Sequence, residues 1–208
     1  RLDRILLTSR RFPVSGGAAH VAAAFDGVPI HIHPDGQAAL ANGDFFTTWA
    51  NRYDSDMPPT QTSAIENGEV LNLGGCSVEI IYKPGHSLDG ISFHILENNT
   101  WVLGTLLPRA DRPTRWDLPG GSLIDIIDSL SVVKRQNPSL VIPFHGPSIQ
   151  GAEHVQEVLQ RHIDFFVECK ERDGHPPSHW QRPSGTSLWH SPASAWPLLE
   201  IEDVQTLH

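Results

Sequence analysis

Four apolar runs of strand length, residues 69–73, 77–82, 91–96 and 101–106, follow one another in the stretch 66–107. With Glu97-Asn98-Asn99 as a hairpin turn, they predict one antiparallel unit. On either side of this block the period changes. Residues 4–8 and 28–33 read as strands; between them Gly16-Gly17 precedes a helix with Ala18, Val21, Ala22 and Phe25 on one face. Downstream, Leu123, Ile126, Ile127, Leu130 and Val133 recur at helical spacing behind Ser122 as N-cap. A short strand over 140–142 follows. Gly151 then precedes a long amphipathic helix whose buried face is Val155, Val158, Leu159, Ile163, Phe166 and Val167. Apolar strands alternating with helical segments specify an α/β domain rather than an all-β sandwich.

Two regions carry no clear period. Residues 37–62 hold Phe45, Phe46, Trp49 and Tyr53 and end in Met57-Pro58-Pro59, which suggests a short helical layer, then a loop, with no chemistry assigned to it. From Asp173 the composition shifts to a stretch rich in Pro, Trp and His. The domain reading is therefore a folded unit over 1–172 and a C-terminal arm over 173–208. Trp180, Trp189 and Trp196 are costly to leave in water, so the arm is expected to pack on its own domain rather than serve only as a docking segment.

The chain has 15 Lys+Arg against 24 Asp+Glu, a formal charge of -9. That balance argues against general nucleic-acid binding, because a broad basic face to neutralise phosphates is lacking. Cys76 and Cys169 match no metal or redox spacing and read as free thiols. No run approaches the roughly 20 apolar residues that cross a bilayer, and residues 1–7 do not read as a signal peptide. A soluble intracellular protein without membrane insertion, in the cytoplasm or an organelle interior, is the expectation.

Several segments together resemble the metallo-β-lactamase superfamily over residues 2–171, in particular its glyoxalase II and small ribonuclease-like branches. The resemblance rests on Asn67-Gly68-Glu69-Val70, Pro84-Gly85-His86-Ser87, Leu103-Gly104-Thr105, Asp128-Ser129-Leu130 and Pro143-Phe144-His145-Gly146-Pro147. Each motif is weak by itself; their order and setting agree. The resemblance implies an α/β, metallo-β-lactamase-like αββα sandwich, here short of the usual first strands and followed by an extended tail.

In that family a strand ends in Thr-His-x-His-x-Asp-His-x-Gly-Gly, whose side chains bind two metal ions, commonly zinc. The matching stretch runs from Thr8 to Gly17: Thr8 and Gly16-Gly17 keep the frame, while Ser9, Arg11, Pro13 and Val14 stand at the ligand positions. Thr105 stands where the family has its bridging aspartate. Of the implied ligand set only His86 and His145 remain, and in the family they serve different ions, whereas zinc needs about three protein ligands. Arg11 adds a fixed positive charge. The resemblance thus implies no metal and no other cofactor.

Three functions are compatible with these residues. The first is a non-catalytic structural or regulatory subunit, a pseudoenzyme on a hydrolase scaffold. The second is a repurposed, metal-independent hydrolase or lyase in which Arg10 and Arg11 polarise an anionic or carbonyl substrate and His86 or His145 acts as acid or base. Its catalytic candidates are Arg11, His86 and His145, although an arginine pair at a strand end is expected to be exposed and solvated. The third is metal-dependent hydrolysis of an ester, thioester or phosphodiester, with zinc held by an atypical ligand set. The His31-x-His33 pair reads as structural, and His20, His94, His154 and His162 as surface or hydrogen-bonded residues. Missing first strands would leave a sheet edge uncovered, so a homo-oligomer or a subunit of a larger complex is expected.

Overall fold

The structure, a computed structural model, describes residues 1–182 and the backbone of 191–192. A small parallel sheet is built from β1 (Ile5–Leu6), β2 (Ile30–Ile32) and β3 (Ser63–Ala64). The larger sheet has the order β4 (Val70–Asn72), β5 (Ser77–Tyr82), β6 (Ile91–Ile95), β7 (Thr100–Gly104), β8 (Leu140–Pro143) and β9 (Ile149–Gln150). The β4 to β7 run is antiparallel, as the four apolar runs predict, while β7 and β8 pair in parallel. That parallel pair needs a crossover, supplied by α4 (Leu123–Arg135).

Three apolar clusters define the layers. Leu7, Ala18, Ala22, Ile30, Ile32 and Leu40 bury the inner side of α2 (Ala18–Ala24) and α3 (Pro34–Ala41), which follow the one-turn α1 (Phe12–Ser15). Ile65, Leu71, Ile80 and Ile91, with Leu6 against them, join the two sheets. The third and largest cluster seats α4 and α5 (Ala152–Glu171) on the other face of the large sheet through Leu103, Ile126, Leu130, Val141, Leu159 and Phe166. The result is the αββα sandwich that the resemblance implies.

Several local readings hold and several need correction. Ser122 caps α4, its hydroxyl accepting from the Asp125 amide at 3.2 Å. In the Glu97-Asn98-Asn99 turn, Asn99 adopts a left-handed φ of 51°, which its short polar side chain tolerates. The α2 face is narrower than predicted: Ala18 and Ala22 are buried, but Val21 and Phe25 are exposed. Phe25 lies beyond the last helical residue, with a non-helical φ/ψ, so its side chain leaves the stripe. The α5 face is wider, since His162, Phe165 and Cys169 join it while Val167 is only partly buried. Trp180 packs on the main core, 4.5 Å from the Phe165 ring centroid, and its strand (Trp180–Gln181) pairs with Ser191–Pro192. Trp189 and Trp196 lie outside the described residues. Among those residues no helix is long and apolar enough to cross a membrane.

Leu130 is fully buried between α4 and the rest of its cluster. Leu130→Ala is expected to cost about 2–5 kcal/mol through lost transfer energy plus a cavity, read as a lower urea midpoint with unchanged slope.

Candidate functional site

The strands β5, β7 and β8 run in one direction, so their carboxyl ends meet along one edge of the sheet, and ligands in open α/β sheets bind outside such ends. Here they release the loops that carry His86, Thr105 and His145, and the loop after β1 brings Arg11 to the same place. Two glycines allow the approach. Gly85, at φ 139°, lies so near α4 that a Cβ would fall 2.4 Å from Ile126 Cγ1. At Gly104, with φ 54°, a Cβ would fall 2.7 Å from Thr8 Cβ. The Ser129 hydroxyl donates to the Pro84 carbonyl and the Ser122 amide to that of Gly85, each at 2.8 Å, which fixes the His86 loop on α4.

One cavity of about 190 Å³ results, and Arg11, His86 and His145 all line it. Pro13, Val14 and Thr105 line it too, so the positions that the resemblance assigns to metal ligands converge except for Ser9. Ser9 is fully buried beside the cavity, its hydroxyl 2.9 Å from that of Ser87. His145 is exposed, as are Pro13 and Tyr53, so the cavity opens to solvent on their side.

The two arginines are not solvated, which corrects the sequence reading: Arg10 is 7% and Arg11 2% exposed. Arg10 meets the fully buried Asp89, whose carboxylate accepts from the Arg10 amide and lies 3.7 Å from its Nε. Arg10 also donates to the Asp35 carbonyl at 3.2 Å and the Pro119 carbonyl at 3.4 Å, the last of which it shares with Arg11. Among the described residues Arg11 has no carboxylate partner. Its Nη1 donates to the Thr47 carbonyl at 2.7 Å, and its Nη2 to the carbonyls of His86 at 3.0 Å and Pro119 at 2.8 Å. One guanidinium thereby ties four segments together: its own loop, the segment before Trp49, the His86 loop and the loop before α4. Burial and the neighbouring Arg10 push the Arg11 pKa down to about 10, which leaves it a cation at neutral pH.

His86 is held by its other side. Its Nδ1 lies 2.9 Å from the Arg115 carbonyl and 3.0 Å from the Thr114 hydroxyl, which itself donates to the Thr105 carbonyl at 2.7 Å. A carbonyl only accepts, so Nδ1 carries the proton and Nε2 keeps the lone pair. Burial and, after it, the Arg11 charge lower the His86 pKa to about 4, so the ring is neutral at pH 7.

Trp49 and Tyr53 also line the cavity, although the sequence assigns no chemistry to residues 37–62. The Arg115 guanidinium lies 4.7 Å from the Trp49 ring centroid and is paired with Asp117, its Nε donating to Oδ1 at 2.7 Å. The aromatic cluster itself was the available signal, but without a period it did not show which rings face inward. His31 and His33 stand apart: His33 caps α3 and stacks on Tyr82 at 4.4 Å. Among the described residues no group of three or more His, Cys, Asp or Glu side chains is placed to hold a metal ion.

No family profile matches the chain. The uncharacterized protein Rv2581c of Mycobacterium tuberculosis is 31% identical over 175 residues, covering 72% of this chain and 71% of that protein. The Bacillus subtilis probable metallo-hydrolase YqgX is 26% identical over 145 residues, covering 69% of this chain and 68% of YqgX. A di-iron-bound structure of TTHA1623 superposes with a TM-score of 0.61 at 28% identity, over 72% of this chain and 73% of that one. The chain belongs to the metallo-β-lactamase superfamily. The metallo-β-lactamase family protein TTHA1429 of Thermus thermophilus, at 16% identity and TM-score 0.67, covers 82% of this chain and 62% of its own and adds support for the fold. The chain spans 61% of the length of an uncharacterized Aquifex aeolicus relative, 26% identical over 132 residues.

Removing the Arg11 side chain takes its donors from the Thr47 and His86 carbonyls and leaves Pro119 only the longer Arg10 contact at 3.4 Å, each stranded carbonyl costing about 1–3 kcal/mol. Arg11→Ala is expected to lose about 3 kcal/mol of stability in urea denaturation, and Arg11→Lys to recover only part, since one ammonium lacks the planar fork. A second expectation concerns pH. His86 and the buried His162 both have folded pKa values lowered to about 4 by burial, against 6.5 unfolded. Above pH 6.5 neither costs stability; as pH falls from 6.5 towards 4 the unfolded chain takes up the protons first. Stability should therefore drop across that window by up to about 1.4 kcal/mol per pH unit for each ring. Ring NMR titrations that find either histidine charged at pH 5.5 would contradict this.

Proposed function

We propose that this chain is a metal-independent member of the superfamily with a non-catalytic role, as a structural or regulatory subunit of a homo-oligomer or larger complex. The observation that carries the proposal is the Arg11 guanidinium, buried at the cavity wall and donating to three carbonyls. The di-iron-bound TTHA1623 and the probable metallo-hydrolase YqgX raise metal chemistry as the comparison case. The donor set here does not fit a metal pair. Pro13 and Val14 offer no donor atom, Thr105 no carboxylate, and Ser9 is bound to Ser87. Arg11 repels a cation in the same space, and both its Nη groups donate to backbone carbonyls, with only the buried Nε left without an acceptor. That weakens the repurposed-enzyme reading in the form that needs Arg11.

A second reading keeps catalysis through His86 alone, because its neutral ring presents an Nε2 lone pair without a hydrogen-bond partner in a cavity. It expects turnover that persists in chelator and falls in His86→Ala.

Protein purified without chelator and supplemented with zinc, manganese or iron is expected to hold well under 0.1 metal equivalents by elemental analysis, roughly a tenth of what a single zinc site requires. Its melting temperature should be the same with and without chelator. Stoichiometric metal would overturn the proposal and restore ester, thioester or phosphodiester hydrolysis at an atypical site.

A further inference from the structure

The cavity has a chemical character of its own. Val14, Trp49, Tyr53, Pro108, Pro113 and Phe144 give it aliphatic and flat aromatic walls. Three of its polar side chains are already engaged, Thr114 with the Thr105 carbonyl, Arg115 with Asp117 and Arg11 with backbone carbonyls, while Tyr53 and His145 stand at its exposed side. His86 Nε2 is different. Its tautomer is fixed from behind by the Arg115 carbonyl, so it presents a lone pair and has no proton to give. The Thr105 hydroxyl can either donate or accept.

Size narrows the choice further. A dry apolar cavity of about 150 Å³ accepts benzene, so about 190 Å³ accommodates one ring with a small substituent. An anion is the obvious alternative, because Arg11 and Arg115 bring positive charge to the wall. Hydrogen-bond geometry speaks against it: the Nη groups of Arg11 point at the carbonyls of Thr47, His86 and Pro119, Arg115 is paired with Asp117, and the lone pair of His86 would face the anion.

We infer that this cavity is a binding site for a small, neutral, monocyclic ligand whose hydroxyl donates a hydrogen bond to His86 Nε2, the ring lying among Trp49, Tyr53 and Phe144. The inference rests on the metal-independent reading, because a bound metal would take the Nε2 lone pair and favour anions. It gives that reading a specific content: a sensor or regulatory subunit has a ligand of this class to respond to.

The experiment is isothermal titration of the purified full chain, its metal content measured in parallel, with phenol, toluene and benzoate as probes. Phenol is expected to bind at least about fivefold more tightly than toluene, the worth of one net hydrogen bond, and benzoate more weakly than both. His86→Phe keeps a ring but removes the acceptor, so phenol should fall to the toluene level while toluene binding persists. Val14→Trp fills the cavity and should abolish both. If His86→Phe does not fold, the wild-type Nε2 nitrogen resonance decides, shifting with phenol and not with toluene. Equal binding of phenol and toluene, tightest binding of benzoate, or no binding by metal-free protein overturns this inference alone. Phenol binding that requires stoichiometric metal overturns both it and the reading beneath it.

Discussion

The arrangement of the site depends on one buried cation and three carbonyls. Arg11 donates to Thr47, His86 and Pro119, groups that belong to separate segments and would otherwise lack these partners at the cavity wall. Burying a guanidinium is costly, and the attraction of three carbonyl dipoles offsets that cost without adding much net stability. What the interaction gives is geometry. The loops leaving the carboxyl ends of β1, β5 and β7 and the segment after α3 are fixed relative to one another, and they wall the cavity.

The neighbouring Arg10 does a separate job. Its contact with fully buried Asp89 joins the loop after β1 to the loop after β5, directly beside the Arg11 cross-link. Arg10 thus pairs with a carboxylate and two backbone carbonyls and Arg11, among the described residues, with backbone carbonyls alone. Only the second lines the cavity. The same loops hold His86 by its Nδ1 proton, so the orientation of its Nε2 acceptor follows from how the backbone around Thr114 and Arg115 is placed.

Where local pattern decides structure, the sequence was readable. The run 77–82 is β5 residue for residue, Ser122 is the N-cap of α4, and most of the predicted α5 face is buried, because strand alternation, capping and helical period act over a few residues. The convergence of Arg11, His86 and His145 was also readable, through ordered motifs at strand ends. Burial of the two arginines was not, since it depends on acceptors up to 109 residues away in sequence. The inward turn of Trp49 and Tyr53 was equally hidden. Trp49 has a left-handed φ of 67° at the head of a short 3-10 turn over Ala50–Tyr53, a conformation that no residue pattern there announces.

The Arg11 cross-link has one more consequence. A cation borrowed from solution obeys mass action: its contribution to stability rises with its free concentration and vanishes when the supply is withdrawn. A guanidinium attached to the backbone has no dissociation constant and no supply. The relative positions of these loops are therefore set once the chain has folded, at a strength that a cell can alter only by changing temperature, pH or the residue itself.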